Sequence, residues 1–600
     1  MDSGELAAVV FTFGIPHPTG YPLYLILGFL VSHLPFGISV IYKLNLFSAI
    51  TSSVVVVFLY YAVCSLLTVY YEFKKEKKSG DKNRIIINIS ENTLMYIAFI
   101  TSVCFGLSKT FWSNAVTNEV YSLHTLFMCI IIYYSLKIYS NFLNTPFKLW
   151  MALFLFLGLS FSNHLTTVFV IPALVYLLHL QFKASPGNIK KVILYSLLII
   201  PGFLLYAVLL VASAPGPYFN WSSPDNFSNL LYHISGGDFS SLLTTGSGLF
   251  SKNLKAFGSG FFGEFAIASG IAALLGYIIL YKKKKEVFIF FTLLIVSTLA
   301  FALNYNVRDA QNYFLLLYIS LSFTLSIGIF EILKYLGKKL NTIPLVYIAA
   351  TGIILIAAGT AYNYESNNNN NNYVIEDFTL NIIDNLEPGA LFVTYNWGYA
   401  YPSALYYQQV DGKRQDLKVI MIRFLAAPWY LNTLKKYYPD LYSSISNEAD
   451  EYIAGYNPDD NRNSVNLVNL VRAFIRNNIG KIPFYVSSDL MYNKDMPNIF
   501  SDYSWKPGPL CYRIIPKSEP YDNNAGMKSL DFNFRPYASG NSEKRVVKIT
   551  TAGIYFDFAT YHFRNNNKQA ALSFLNKSLM YENLPDAVKL KNQIINEQRK

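Results

Sequence analysis

Apolar positions dominate the chain up to about residue 362, and polar positions interrupt them only in short loops. A helix needs about 20 apolar residues to cross a bilayer. Runs 5–14 and 21–35 fall short of that, and Pro22 and Pro35 bound the second, so both read as helices lying at or dipping into the interface. Longer or denser runs at 42–71, 94–107, 119–139, 148–163, 165–182, 191–212, 262–281, 287–304, 312–334 and 343–362 predict about ten spans.

The pattern changes after six consecutive asparagines at 367–372, which mark a polar linker over 363–375. Beyond it, Ala390–Tyr395, Leu417–Ile422, Phe484–Ser488 and Leu510–Ile515 read as strands, and 398–410, 428–437 and 463–479 as helices. That alternation predicts a soluble α/β domain over 376–540 with a largely parallel sheet. From 541 to 600 the pattern is helical only, with Ala570, Ala571, Phe574 and Leu575 on one stripe. It reads as a tetratricopeptide-like hairpin plus a helix, which must pack on the α/β domain or on a partner because one such unit cannot cover its own apolar face. The fold class is therefore a polytopic α-helical membrane domain over 1–362, then a soluble α/β domain and a short helical tail.

Composition supports this division. The 600 residues are 52% hydrophobic and only 14% charged, with mean hydropathy +0.28, against about 25% charged in soluble domains. The net charge of +12 sits mainly in short loops between apolar runs, which excludes nucleic acid as the natural partner and points to membrane orientation. Lysine-rich segments at 72–84, 183–191, 282–286 and 334–340 share one parity of the alternating count, the cytoplasmic side. The DSGEL start, 108–118, Asn163-His164, 213–260, Asn304–Asp309 and the C-terminal part share the other. With this parity residue 2 is external, so either the short N-terminus is translocated unaided or, as we expect, a further transmembrane helix stands ahead of it. Four cysteines, none in a CxxC, give no disulfide framework and no zinc site. Clusters with metal-ligand spacing are absent, so neither metal nor cofactor is expected.

Candidate chemistry collects on the non-cytoplasmic side. Asp2 and Glu5 stand three apart at a helix start, where both could simply complement the helix dipole, with Ser3 as a cap. Their position at the bilayer edge, just ahead of a rigid loop, favours a working carboxylate instead, a general base toward a hydroxyl. That loop, His17-Pro18-Thr19-Gly20-Tyr21-Pro22, is either a structural turn or a preorganised arm carrying His17 and Tyr21.

These blocks bring a family into view. DSGEL and HPTGYPLY resemble the start of the bacterial and eukaryotic O-mannosyltransferase-like proteins, GT-C-class membrane glycosyltransferases whose human member modifies plexin-type immunoglobulin-like domains. The resemblance continues through Phe111–Leu123, Gly158–Thr166, Trp221 with Pro224, His233 with Gly236-Gly237, Asn304–Asp309 and Thr394–Trp397. In that family a transmembrane helix normally precedes the acidic motif, so the resemblance implies such a helix ahead of Asp2. The resemblance implies a GT-C-like bundle with Asp2 as catalytic base and Glu5 as the other candidate. It implies a polyprenyl-phosphate-linked sugar as donor, lodged among membrane lipid, inversion at the anomeric carbon, and a protein Ser/Thr hydroxyl as acceptor. A glycan or lipid hydroxyl is the runner-up acceptor.

Other residues can be sorted by physics. Lys109 and Arg308 are external cations, suited either to a phosphate or to interfacial snorkelling. Glu119 and Tyr121 open a helix, and Glu119 is either a site acid or a dipole partner. Asn163 and His164 sit at a sharp turn, where they either contact a sugar or cap helices. Trp221 and His233 lie in the long external loop, Trp221 as a stacking face or an interfacial anchor. A transporter or flippase of lipid-linked glycan is the rival class, but it would carry several intramembrane charges and internal repeats. A scaffold would explain the tail and not the first loop. The Asn-, Ile- and Lys-rich composition points to a bacterial inner membrane with a periplasmic C-terminal part, which would make the Asn-X-Ser matches at Asn220, Asn226 and Asn576 coincidental.

Overall fold

The computed structural model describes residues 2–78, 89–243, 246–307, 309–340, 342–395, 397, 400–456, 465–494, 496, 499–520, 522, 532–536 and 542–599. The chain divides into two units. A bundle unit comprises His17–Val211 and Asp225–Asn368, and an α/β unit comprises Met1–Pro16, Ala212–Pro224 and Asn369–Lys600.

In the bundle unit, eight helices are long and apolar enough to span a membrane: Val40–Tyr71, Tyr121–Tyr139, Leu165–Ala184, Ile189–Ser213, Gly248–Lys283, Lys285–Ala302, Ala310–Leu336 and Leu345–Asn367. A ninth arises if Glu91–Gly106 and Lys109–Ala115, bent by 72°, count as one span. The expected count of about ten is thus too high among the described residues. The expected span at 148–163 is the helix Phe147–Phe161, whose 15 residues reach only about 22 Å before the Ser162–Asn163 turn. Residues 22–32 form a short apolar helix, Pro22–Ser32, as the pattern suggested.

Ala310–Leu336 is the innermost of these helices, 94% buried in its apolar window. Its hydroxyls turn back on its own backbone, Ser320 to Leu316 O at 2.8 Å and Ser322 to Tyr318 O at 2.9 Å. A helix in so apolar a setting has to satisfy its polar groups internally. It packs on Gly248–Lys283 with small residues at the contact: a methyl group on Gly328 would run into the carbonyl of Ala272, and one on Gly276 into that of Thr324. The lysines of 74–78 lie at the end of the Val40–Lys78 helix, and 79–88, the rest of that expected basic loop, lies outside the described residues. Near the other basic runs Lys283 pairs with Glu331 at 3.1 Å.

The α/β unit is built on a five-stranded sheet in the order β2-β1-β3-β5-β4. The strands are β1 (Leu391–Thr394), β2 (Lys418–Met421), β3 (Phe484–Ser487), β4 (Tyr503–Pro507) and β5 (Cys511–Pro516). β1 runs parallel to both β2 and β3, while β5 is antiparallel to β3 and to β4. The expected largely parallel sheet is therefore mixed, because β4 and β5 close a tight hairpin through Gly508 and Leu510. β1 and β3 are buried at every position, as the apolar runs LFVT and FYVS demand of central strands.

Three helices, Ser542–Arg564, Lys568–Tyr581 and Pro585–Arg599, follow the sheet. Ala570, Ala571, Phe574 and Leu575 are buried, and the first helix packs on β4 and on the helix Val374–Ile383. Asp557 anchors it there by accepting from the hydroxyls of Tyr512 at 2.5 Å and Tyr492 at 3.0 Å. Two distant chain segments complete this unit. Ile15 N–H donates to Phe219 O at 2.8 Å, joining the first residues to the segment Ala212–Pro224. Lys436 then holds that segment by donating to Gly216 O at 2.7 Å.

Candidate functional site

In the α/β unit, the DSGEL stretch opens the helix Ser3–Thr12. Asp2 occupies the N-cap position, but its side chain makes no capping hydrogen bond. It accepts instead from the indole N–H of Trp397, with Oδ1 at 2.7 Å. Glu5, one turn on, is completely buried, and its charge lies close enough to raise the phenol of Tyr401 further than burial and the neighbouring tyrosines already do. Gly4 separates the two acids. A methyl group there would come within 2.8 Å of the Pro402 carbonyl oxygen, so only glycine lets this helix seat against the start of Tyr401–Gln409.

Trp397 is fixed by rings. Trp221, Tyr401 and Phe424 lie with centroids 5.6, 5.8 and 5.9 Å away. Trp221 in turn stacks on Trp429 at 5.5 Å. Trp221 is only 7% exposed, so its ring belongs to this aromatic cluster instead of standing open in the loop.

A second set of candidates meets in the bundle unit. Gly20 has φ +90°, and Tyr21 follows at φ +44° as the N-cap of Pro22–Ser32. The turn is locked by Gly20 N–H to His17 O at 3.1 Å and Tyr21 Oη–H to Pro18 O at 3.1 Å. It directs the Tyr21 ring onto His164, with centroids 5.6 Å apart. His17 packs edge-on against Tyr21 at 5.2 Å. His164 also meets Tyr121 at 5.4 Å and His124 at 5.0 Å.

Hydrogen bonds set the tautomers. The Thr166 N–H points at His164 Nδ1 at 3.3 Å and its hydroxyl lies 2.6 Å from the same nitrogen, so Nδ1 is the acceptor. Thr166 Oγ1 is also 3.1 Å from His124 Nε2 and can accept from it. This relay leaves Nε2 as the donor nitrogen of neutral His164. Burial pushes the His164 imidazole well below its usual range, helped by His124 and His17. His233, also fully buried and facing Gly20, is pushed down to about 3 for the same reason.

Acidic and amide groups extend the cluster. Tyr121 Oη is 3.5 Å from Asp309 Oδ2, which also accepts from Asn312 Nδ2 at 3.3 Å. Asn312 Oδ1 accepts from Asn114 at 2.9 Å. Asn163 is buried, donates to Val120 O at 3.3 Å, and leaves Oδ1 without a hydrogen-bond partner among the described residues. Glu119 is half-buried just ahead of Tyr121–Tyr139. A small cavity is lined by Tyr121, His124, Thr166, Asn312 and Tyr313, with Phe169 on its apolar side.

The structure therefore gathers His17, Tyr21, Tyr121, His164 and His233 in one neighbourhood of the bundle unit, and Asp2, Glu5 and Trp221 in the α/β unit. Lys109 stands exposed at the head of Lys109–Ala115, where Glu264 accepts from the adjacent Thr110 N–H at 2.8 Å. Arg308 lies outside the described residues. The sequence reading passed over His124, Thr166, Asp309, Asn312 and Trp397 as site residues. His124 stands three residues after Tyr121, on the same helix face, and that spacing was the available signal. No group of three His, Cys, Asp or Glu side chains able to hold a metal occurs among the described residues.

Comparison with known proteins gives a consistent picture. Residues 2–186 match the family described as the protein O-mannosyl-transferase TMEM260 N-terminal domain. The protein O-mannosyl-transferase tmem260 of Dictyostelium discoideum is 22% identical over 599 residues, covering 90% of this chain and 67% of the relative. The mouse protein O-mannosyl-transferase TMEM260 is 22% identical over 462 residues, 74% of this chain and 62% of the relative, so the chain spans under two thirds of its length. The chain is O-mannosyltransferase-like in sequence, and the family match runs from Asp2 through the His164 turn.

Proposed function

We propose that the protein is a membrane glycosyltransferase of the GT-C type, moving mannose from a polyprenyl-phosphate donor to a Ser or Thr hydroxyl of a protein on the non-cytoplasmic face. The observation that carries this reading is the Asp2 carboxylate. It sits at a helix start yet does not cap its helix, and an indole N–H holds it in place. The names of the two relatives support the choice of mannose and of a protein acceptor.

In this reading the acceptor hydroxyl gives its proton to Asp2 as its oxygen attacks the anomeric carbon. The bond from that carbon to the phosphate oxygen breaks on the opposite side, so the configuration inverts and polyprenyl phosphate leaves. General-base assistance of this kind is worth about 100- to 10,000-fold. Glu5, one turn further along, is the alternative base. His17, His164 and His233, with Tyr21, Tyr121, Asn163 and Glu119, offer the donors and acceptors a sugar-phosphate head group needs, and Lys109 and Arg308 offer positive charge for it. Trp221 acts through the packing of the aromatic cluster.

The test is transfer of radiolabelled mannose from polyprenyl-phosphate mannose to a plexin-type immunoglobulin-like domain, using the chain in membranes. Activity that disappears in Asp2→Asn at unchanged membrane insertion is the expected result. Undiminished transfer by Asp2→Asn would remove the proposal.

A further inference from the structure

Among the described residues the indole N–H of Trp397 reaches one oxygen of Asp2, and Oδ2 of that carboxylate is left for another proton donor. We infer that Trp397 is the positioning residue of the proposed base: its N–H holds Oδ1 so that Oδ2 faces the acceptor hydroxyl. This rests on the reading of Asp2 given above and adds a second residue of the α/β unit to it.

Three observations carry it. First, Asp2 stands where an aspartate ordinarily bonds to the N–H groups of its own first turn, and it does not do so. Its χ angles are set from outside the helix. Second, Trp397 is not a free surface ring. Trp221, Tyr401 and Phe424 surround it at centroid distances of 5.6 to 5.9 Å, and Trp429 and Phe424 brace Trp221 behind it at 5.5 and 5.0 Å. A donor held by so many rings cannot swing away, which is how a neighbouring group keeps a reacting side chain within the narrow range its chemistry needs. Third, Gly4 lies between the two acids and allows their helix to approach Pro402, the second residue of the helix that also supplies Tyr401. The DSGE spacing and the aromatic cluster thus serve one arrangement.

Trp397→Phe keeps the ring and deletes the N–H. With polyprenyl-phosphate mannose and a plexin-type immunoglobulin-like domain as probes, we expect kcat/KM to fall about tenfold or more, as for a lost hydrogen bond to a charged group. The loss should fall on kcat, with KM for both probes within about twofold of the parent, because the donor places the base for proton transfer and touches neither probe. A purely structural ring would lower the amount of folded protein and leave the rate per folded molecule unchanged. Gly4→Ala, which pushes the helix off Pro402, should give the same loss in kcat. A kcat at the parent value in both variants overturns the inference, while Asp2→Asn still tests the base itself. If Asp2→Asn is inactive and Trp397→Phe behaves as the parent, the proposed function stands and the role of Trp397 falls.

Discussion

Tyr21 stacks on His164 with centroids 5.6 Å apart and planes inclined by 17°. The pair joins the HPTGYP turn to the Asn163-His164 turn, two stretches more than 140 residues apart in the sequence. Tyr21→Phe keeps the stack and gives up the hydroxyl with its bond to Pro18, so thermal stability in detergent should drop by about 1 kcal/mol or less. Tyr21→Ala removes a buried ring and should cost about 3–5 kcal/mol. Equal losses in the two variants would show that the hydroxyl, not the stack, holds the turns together.

Gly20 is constrained twice over. Its φ of +90° disfavours any side chain, and a methyl group would fall 2.5 Å from Leu209 Cδ1 and 2.9 Å from His233 Nε2. Gly20→Ala should therefore destabilise by more than about 1 kcal/mol. A melting curve unchanged from the parent protein would contradict this.

The buried histidines make the bundle unit sensitive to acid. Unfolded, His233 titrates near 6.5; folded, burial pushes it down to about 3, and His164 moves in the same direction. Between those values the unfolded chain binds protons that the folded chain refuses. The stabilisation is complete above 6.5 and is lost as the pH falls toward about 3. Each histidine contributes a slope of up to about 1.4 kcal/mol per pH unit in that window. Thermal inactivation followed from pH 7.5 down to pH 4.5 should show it, and His233→Asn should flatten the slope at the same membrane level.

In the α/β unit Arg535 takes Asp377 by three bonds, from its backbone N–H at 2.8 Å, from Nε at 2.8 Å and from Nη2 at 2.5 Å, while its guanidinium lies 3.7 Å from the centre of the Tyr373 ring. The Arg535 side chain is 40% exposed and that of Asp377 only 7%, so solvent screens one end of the pair. Asp377→Ala should cost about 1–2 kcal/mol. It should also expose residues 532–536 to protease before the rest of the unit. Cleavage at the parent rate would rule the anchor out.

The strands were legible because LFVT, KVIM and FYVS are short apolar runs bounded by polar or turn residues. β4 was not, since Tyr503–Pro507 reads YSWKP, with a lysine and a proline where an alternating run would be expected. The Gly508-Pro509 pair after it was a turn signal, and reading it as a hairpin would have predicted the antiparallel edge. The spans were legible by length alone, except where Ser162-Asn163 cut one short and Leu107-Ser108 bent another. At the site, Asp2, Glu5, His17, His164, His233 and the Pro-Gly turn stood out by residue type, while His124 and Asp309 did not. The bond between Asp2 and Trp397 did not, because 395 positions separate them and no local pattern records such a pairing.

The three-part make-up of the α/β unit bears on how it comes into being at the ribosome. Its first helix and the piece carrying Trp221 are translated before the sheet that receives them, with His17–Val211 of the bundle between the two and Asp225–Asn368 between the second and the sheet. Until Leu391 and the strands after it emerge, those early pieces have nothing to settle on. Expressed by itself from Asn369 onward, the unit would bare Trp397, Phe424 and Trp429 to water, a patch inviting aggregation. Coexpression with peptides spanning Met1–Pro16 and Ala212–Pro224 is the economical way to recover it in solution.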